Sequence, residues 1–93
     1  TKALSKDYAD AGVRINTVML GSIESAQWKR RWEATGPQGT LEEFYALAAQ
    51  TIPLGRIGNA EEVADLVAFL VSSRASYITG TAIAIDGGLS NAV

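Results

Sequence analysis

Between positions 13 and 20 the chain is almost continuously apolar: Val13, Ile15, Val18, Met19 and Leu20 form a short run rich in β-branched residues. A run of this length and composition predicts a strand buried on both faces, as in a parallel sheet. Residues 81–85 predict a second, final strand, followed by an Asp86-Gly87-Gly88 turn in which Asp86 makes local hydrogen bonds. Between the strands the rhythm is helical. Val63, Leu66, Val67, Leu70 and Val71 recur at i, i+3, i+4, i+7 and i+8, the stripe of an amphipathic helix. Asn59 is placed to cap that helix, Glu61 and Glu62 stand in its first turn where the macrodipole favours negative charge, and residues 72–76 end it.

Residues 1–11 read as the end of a helix, with Leu4 and Tyr8 on one face, Ala3 and Ala11 beside them, and Gly12 as its stop. Residues 26–50 have another character. Trp28 to Glu33 predict a turn or two of helix with Trp28 and Trp32 on one side, which Gly36, Pro37 and Gly39 break. Thr40-Leu41-Glu42-Glu43 is a capping box, so a second short helix should run to about Gln50 with Phe44, Leu47 and Ala48 facing inward. Ile52 to Gly58 form a turn-rich connector, where Arg56 is expected to pair with Glu61, Glu62 or a carbonyl. The whole is one strand–crossover–strand unit, for which a right-handed connection is expected.

Composition narrows the chemistry. The chain is 47% hydrophobic and 19% charged, the balance of a globular domain and not of a disordered tail. A net charge of −2 argues against a nucleic-acid partner, and no apolar run approaches a membrane span of about 18 residues. Cysteine and histidine are both absent, which excludes disulfides, thiolate or histidine metal sites and a Ser-His-Asp triad. No metal site is expected, no segment reads as a signal peptide, and the expected location is cytoplasmic.

The polar groups that could do chemistry gather where the first strand ends. Gly21 should let the backbone turn through conformations closed to other residues and approach a ligand. Ser22, Glu24 and Ser25 lie just past the strand's carboxyl end, where open α/β sheets bind their ligands.

Four segments resemble the carboxyl-terminal part of the short-chain dehydrogenase/reductase family, in its order and spacing. Thr1-Lys2-Ala3-Leu4-Ser5 with Gly12-Val13-Arg14-Ile15-Asn16-Thr17-Val18 is similar to the family's long helix and the strand after it. Leu20-Gly21-Ser22-Ile23-Glu24-Ser25 resembles its Pro-Gly-x-Ile-x-Thr cofactor loop, with Leu20 in place of proline and Ser25 in place of threonine. Ile52-Pro53-Leu54-Gly55-Arg56 through Glu61-Glu62-Val63-Ala64 resembles the connector and penultimate helix, and Tyr77-Ile78-Thr79-Gly80 with Asp86-Gly87-Gly88 the last strand and its turn.

The resemblance implies an α/β chain, the last two strands and flanking helices of a Rossmann-type doubly wound parallel sheet. It implies the carboxyl-terminal part of a single dinucleotide-binding domain that moves a hydride between NAD or NADP and a carbonyl or alcohol substrate. Gly21, Ser22, Ile23 and Ser25 would contact the cofactor, Ile23 through its backbone and Ser25 through its hydroxyl. Residues 26–50 would be a substrate lid carrying Trp28 and Trp32; the bland alternative is two aromatics covering apolar surface, with Lys29 to Arg31 a solvated face. The family's tyrosine and lysine would precede Thr1. Tyr8 and Tyr77 are followed four residues later by Gly12 and Thr81, not by lysine, so no catalytic residue is named here. A homodimer or homotetramer is expected, with Val67, Phe69, Val71 and Ile83 at or near the contact. Two rival readings stay open: a non-catalytic α/β interaction or oligomerisation module, and a nucleotide-binding module without redox chemistry.

Overall fold

The computed structural model describes residues 1–35 and 39–90. The expected breaks at Gly36 and Pro37, and the last three residues of the apolar tail, lie outside them. The chain is mixed α/β with a two-stranded parallel sheet. Its elements are α1 (Lys2–Tyr8), β1 (Thr17–Leu20), α2 (Ala26–Ala34), α3 (Leu41–Ala48), α4 (Ala60–Leu70) and β2 (Ala82–Ile85). It divides into two compact units, one of Thr1–Met19 with Glu61–Ile85 and one of Leu20–Ala60 with Asp86–Val93.

In the first unit, α1 tightens into a 3-10 turn over Ala9–Ala11 and stops at Gly12, whose φ of 73° and N–H bond to the Ala9 carbonyl make the expected left-handed cap. The buried position of α1 is Ser5, 2% exposed, while Leu4 and Tyr8 are about half exposed. Ser5 sits against Gly80: a Cβ there would come 2.5 Å from the Ser5 hydroxyl, and Gly80 has a φ of 74°. Small residues on both sides let the helix approach the chain just before β2.

The strand expected over 13–20 enters the ladder only at Thr17. Before that point the chain is tied to residues 78–81 largely by side chains. The Ile15 amide donates to the Thr79 hydroxyl, and the Asn16 carboxamide donates to the Ile78 carbonyl while accepting from both the amide and the hydroxyl of Thr81. Burial of β1 on both faces is not found: Met19 and Leu20 are exposed, Leu20 by 57%. Side chains of a strand point to the faces of the sheet, and at Met19 and Leu20 those faces are not covered by the described residues.

Helix α4 starts directly after Asn59, as its pattern predicts, with Glu61 and Glu62 in the first turn. Of its stripe only Leu70 is buried, Val67 is exposed, and Val71 just beyond the helix is 74% exposed. The Arg14 guanidinium donates to the carbonyls of Leu70 at 2.7 Å and Ser72 at 3.2 Å, placing a cation on the last turn where the dipole favours it.

Candidate functional site

The loop after β1 belongs to the second unit, and its shape comes from one parallel bridge, Ile23 to Gly58. The Gly58 amide donates to the Ser22 carbonyl at 2.9 Å, and the Glu24 amide donates to the Gly58 carbonyl at 2.8 Å. In a parallel bridge the central residue's own N–H and C=O point to the opposite side. Those of Ile23 meet no partner among the described residues. One donor and one acceptor are therefore held side by side on the open edge of the loop.

Gly21 does not serve as expected. The described glycines with positive φ are Gly12, Gly55, Gly80, Gly87 and Gly88, so Gly21 turns through backbone angles open to other residues. The turn is made at Ser22, a bend next to the Ile23 bridge, without a left-handed residue. What Gly21 still offers is a half-buried position without a side chain.

Ser25 is the residue before α2. It is extended, with φ −160° and ψ 170°; its carbonyl accepts from the Trp28 and Lys29 amides, while its hydroxyl makes no capping bond. Such a hydroxyl is normally spent on the helix end; here it is not. Ser22 is half-buried beside it.

The two tryptophans lie on one side of α2 as expected: Trp28 and Trp32 are half-buried while their helical neighbours are exposed. Trp28 meets Phe44 and Tyr45 of α3 edge-on, with ring centroids at 5.9 and 6.2 Å. The Arg31 guanidinium lies over the Trp28 ring at 5.4 Å. Helix α3 starts on the expected capping box, Thr40 accepting from the Glu43 amide and Glu43 reaching back to the Thr40 amide. It ends at Ala48, earlier than Gln50, and passes into a 3-10 turn over Ala49–Thr51 that buries Ala49. Leu47 faces outward, 64% exposed, because the ring contact with α2 runs through Phe44 and Tyr45. An open cavity of about 350 Å³ lies beside Trp32, Thr40, Phe44 and Leu47.

Two participants were not legible in the sequence. Gly58 anchors the loop through a pairing between residues far apart in the chain. Tyr45 packs on Trp28, and its phenol is held above the ordinary value of 10.0, first by burial and then by the negative charges of Glu24 and Glu42. Glu24 is thereby placed near Tyr45 of α3. Arg56 donates to the Ile57 carbonyl, one of the partners expected for it, and Asp86 makes its local bonds to the amides of Gly88 and Ser90. Among the described residues no group of acidic side chains could hold a metal ion.

The residues present fit a nicotinamide cofactor. A carboxamide needs one acceptor and one donor on a fixed edge, which the Ile23 backbone supplies, and, two residues on, Ser25 has a hydroxyl without a capping bond. Comparison with known proteins agrees. Residues 1–90 match a family described as Enoyl-(Acyl carrier protein) reductase. A 3-oxoacyl-[acyl-carrier-protein] reductase of Thermotoga maritima is 40% identical over 89 residues, covering 96% of this chain and 32% of its own. An NADPH-bound short-chain oxidoreductase of Pseudomonas aeruginosa PAO1 with an atypical catalytic centre superimposes with a TM-score of 0.85 at 37% identity, covering 99% of this chain and 35% of its own. The L-sorbose reductase of Gluconobacter frateurii, complexed with NADPH and L-sorbose, gives 0.88 at 29% identity, with 99% and 36% covered. The chain spans about a third of the length of the curated relatives it matches.

Proposed function

Because this chain belongs to the short-chain dehydrogenase/reductase family, we propose that it forms the nicotinamide-side wall and substrate lid of an oxidoreductase acting on a carbonyl or alcohol. The observation that carries this reading is the bridge between Ile23 and Gly58, which leaves the Ile23 N–H and C=O fixed and unpaired on one edge. When bound, the nicotinamide of NAD or NADP supplies or accepts the hydride. The Ile23 backbone and the Ser25 hydroxyl orient its carboxamide, and half-buried Gly21 and Ser22 let the ring lie close to the chain. Helices α2 and α3, with Trp28 and Trp32, close over the substrate and exclude water. The family's proton-transferring tyrosine and its lysine belong to the part of the protein before Thr1.

The lid reading draws support from the Trp28–Phe44–Tyr45 cluster, which joins α2 to α3 as one covering piece next to the loop. An oligomeric, cytoplasmic enzyme is part of the same proposal. Exposed Val67 and Val71, one turn apart, and Phe69 on another side of the helix are large apolar residues open to a second copy, and no helix of the described residues is long and apolar enough to cross a membrane. Calorimetric titration of the full-length protein with NADPH and with NADH tests the reading. Binding of at least one is expected, and binding of neither overturns it.

A further inference from the structure

The Ile23 edge is only as fixed as Gly58, and Gly58 stands at the end of the connector that follows α3. That connector is seated on the turn after β2, within the second unit. The Leu54 amide donates to the Gly87 carbonyl at 3.0 Å. Ile52 is 5% exposed, and a Cβ added at Gly87 would come 2.6 Å from its Cγ2. Gly87 has a φ of 64°, so both its backbone angle and its surroundings require a residue without a side chain. One residue on, a Cβ at Gly88 would lie 3.3 Å from Pro53. The turn itself is held by Asp86, whose carboxylate accepts from the Gly88 and Ser90 amides at 3.0 and 2.9 Å. The connector continues from Leu54 through a bond from the Gly55 amide to the Ile52 carbonyl at 2.8 Å. Gly58 then pairs on both sides of Ile23, with the Ser22 carbonyl and the Glu24 amide. A short path therefore leads from the last turn of the chain to the Ile23 N–H and C=O.

We propose that Gly87 is a positioning residue for the cofactor: it seats the connector on the turn and so fixes, through Gly58, the Ile23 edge that receives the nicotinamide carboxamide. The inference rests on the cofactor reading above. A side chain at Gly87 displaces Ile52 and carries the connector with it. The Ile23 donor and acceptor then no longer meet the two groups of a carboxamide together, and hydrogen bonds weaken steeply with lost alignment.

The test is calorimetry on the full-length protein with NADPH or NADH, whichever binds. The second ligand is ADP-ribose, or its 2′-phosphate where NADPH binds, which lacks the nicotinamide. Gly87→Ala should weaken the nicotinamide cofactor about tenfold, the effect of losing two neutral hydrogen bonds, and leave the ADP-ribose ligand unchanged. Ile52→Leu keeps that side chain's volume while removing its Cγ2. The Gly87→Ala/Ile52→Leu protein should therefore recover most of the affinity. Equal losses for both ligands mean general damage to the fold and overturn the proposal, as does a double variant no better than Gly87→Ala. Should Gly87→Ala not fold, hydrogen exchange of the wild-type protein decides. The nicotinamide cofactor should slow exchange of the Leu54 and Gly58 amides more than the ADP-ribose ligand does; equal slowing by the two, or none, overturns the proposal. A protein that binds no nicotinamide cofactor overturns both readings, whereas one whose cofactor affinity is untouched by Gly87→Ala overturns only this one.

Discussion

Asn16 and Ser25 show how differently two polar side chains of similar size are used. Asn16 makes three hydrogen bonds, to the Ile78 carbonyl and to the amide and hydroxyl of Thr81, in a half-buried position. Asn16→Ala would strip the Thr81 amide of its partner and should lower the stability of the full-length protein by about 2–4 kcal/mol, read as a reduced urea midpoint. Ser25 makes no capping bond, so Ser25→Ala should barely move that midpoint. It should instead weaken cofactor binding by about fivefold, one neutral hydrogen bond. An unchanged cofactor Kd would remove Ser25 from the site. Tyr45, whose phenol is held up by burial and by Glu24 and Glu42, stays neutral below its ordinary 10.0. Its raised value favours the folded state's protonated form, so any stability it carries is present below pH 10.0 and declines as pH rises through the higher folded value.

At the scale of elements, α2 and α3 are the pair proposed to cover the substrate. Their junction is aromatic, and the amino end of α3 is secured by the Thr40–Glu43 box. Thr40→Ala should cost α3 about 1 kcal/mol, seen as faster hydrogen exchange in residues 41–48 and not in α4. Trp32→Ala, which removes the indole beside the open cavity, should raise the substrate KM far more than the cofactor Kd. Equal effects on both, or none, would count against a lid. Helix α4 works differently: Arg14 holds its last carbonyls while its apolar residues stay open.

For the molecule as a whole, the large apolar residues left open are the dominant fact. The buried apolar residues among those described are Ala49, Ile52, Leu70 and Ala75, a small core for 93 residues. Within the first unit an open cavity of about 560 Å³ is lined by Ile15, Val18, Val67, Leu70 and Val71. Burial on this scale does not offset the conformational entropy of ordering the chain. The isolated 93 residues should therefore unfold in urea without a cooperative transition; a cooperative one, with a monomer confirmed by sedimentation, would refute this. In the full-length protein, Phe69→Glu should dissociate an oligomer or unfold the subunit. Light scattering that shows a wild-type monomer at micromolar concentration would exclude the interface.

Local signals carried much of this structure. The period of the α4 stripe, the capping box at Thr40, the left-handed stop at Gly12 and the turn at Asp86 each depend on residues within a few positions of one another, so a pattern in the sequence suffices to place them. Tertiary structure alone decided what depends on distant partners. It set the start of β1 at Thr17, because Ile15 and Asn16 are taken up by residues 78–81. It put Ser5 and not Leu4 in the interface with Gly80, and turned Leu47 outward while Tyr45 packed on Trp28. It also drew Ile23 into a bridge with Gly58, so that the Ile23 amide and carbonyl were left open, and made the turn at Ser22 without a special backbone angle at Gly21. Side-chain direction and backbone pairing across such separations are set by what the chain meets on folding, and no local spacing encodes that.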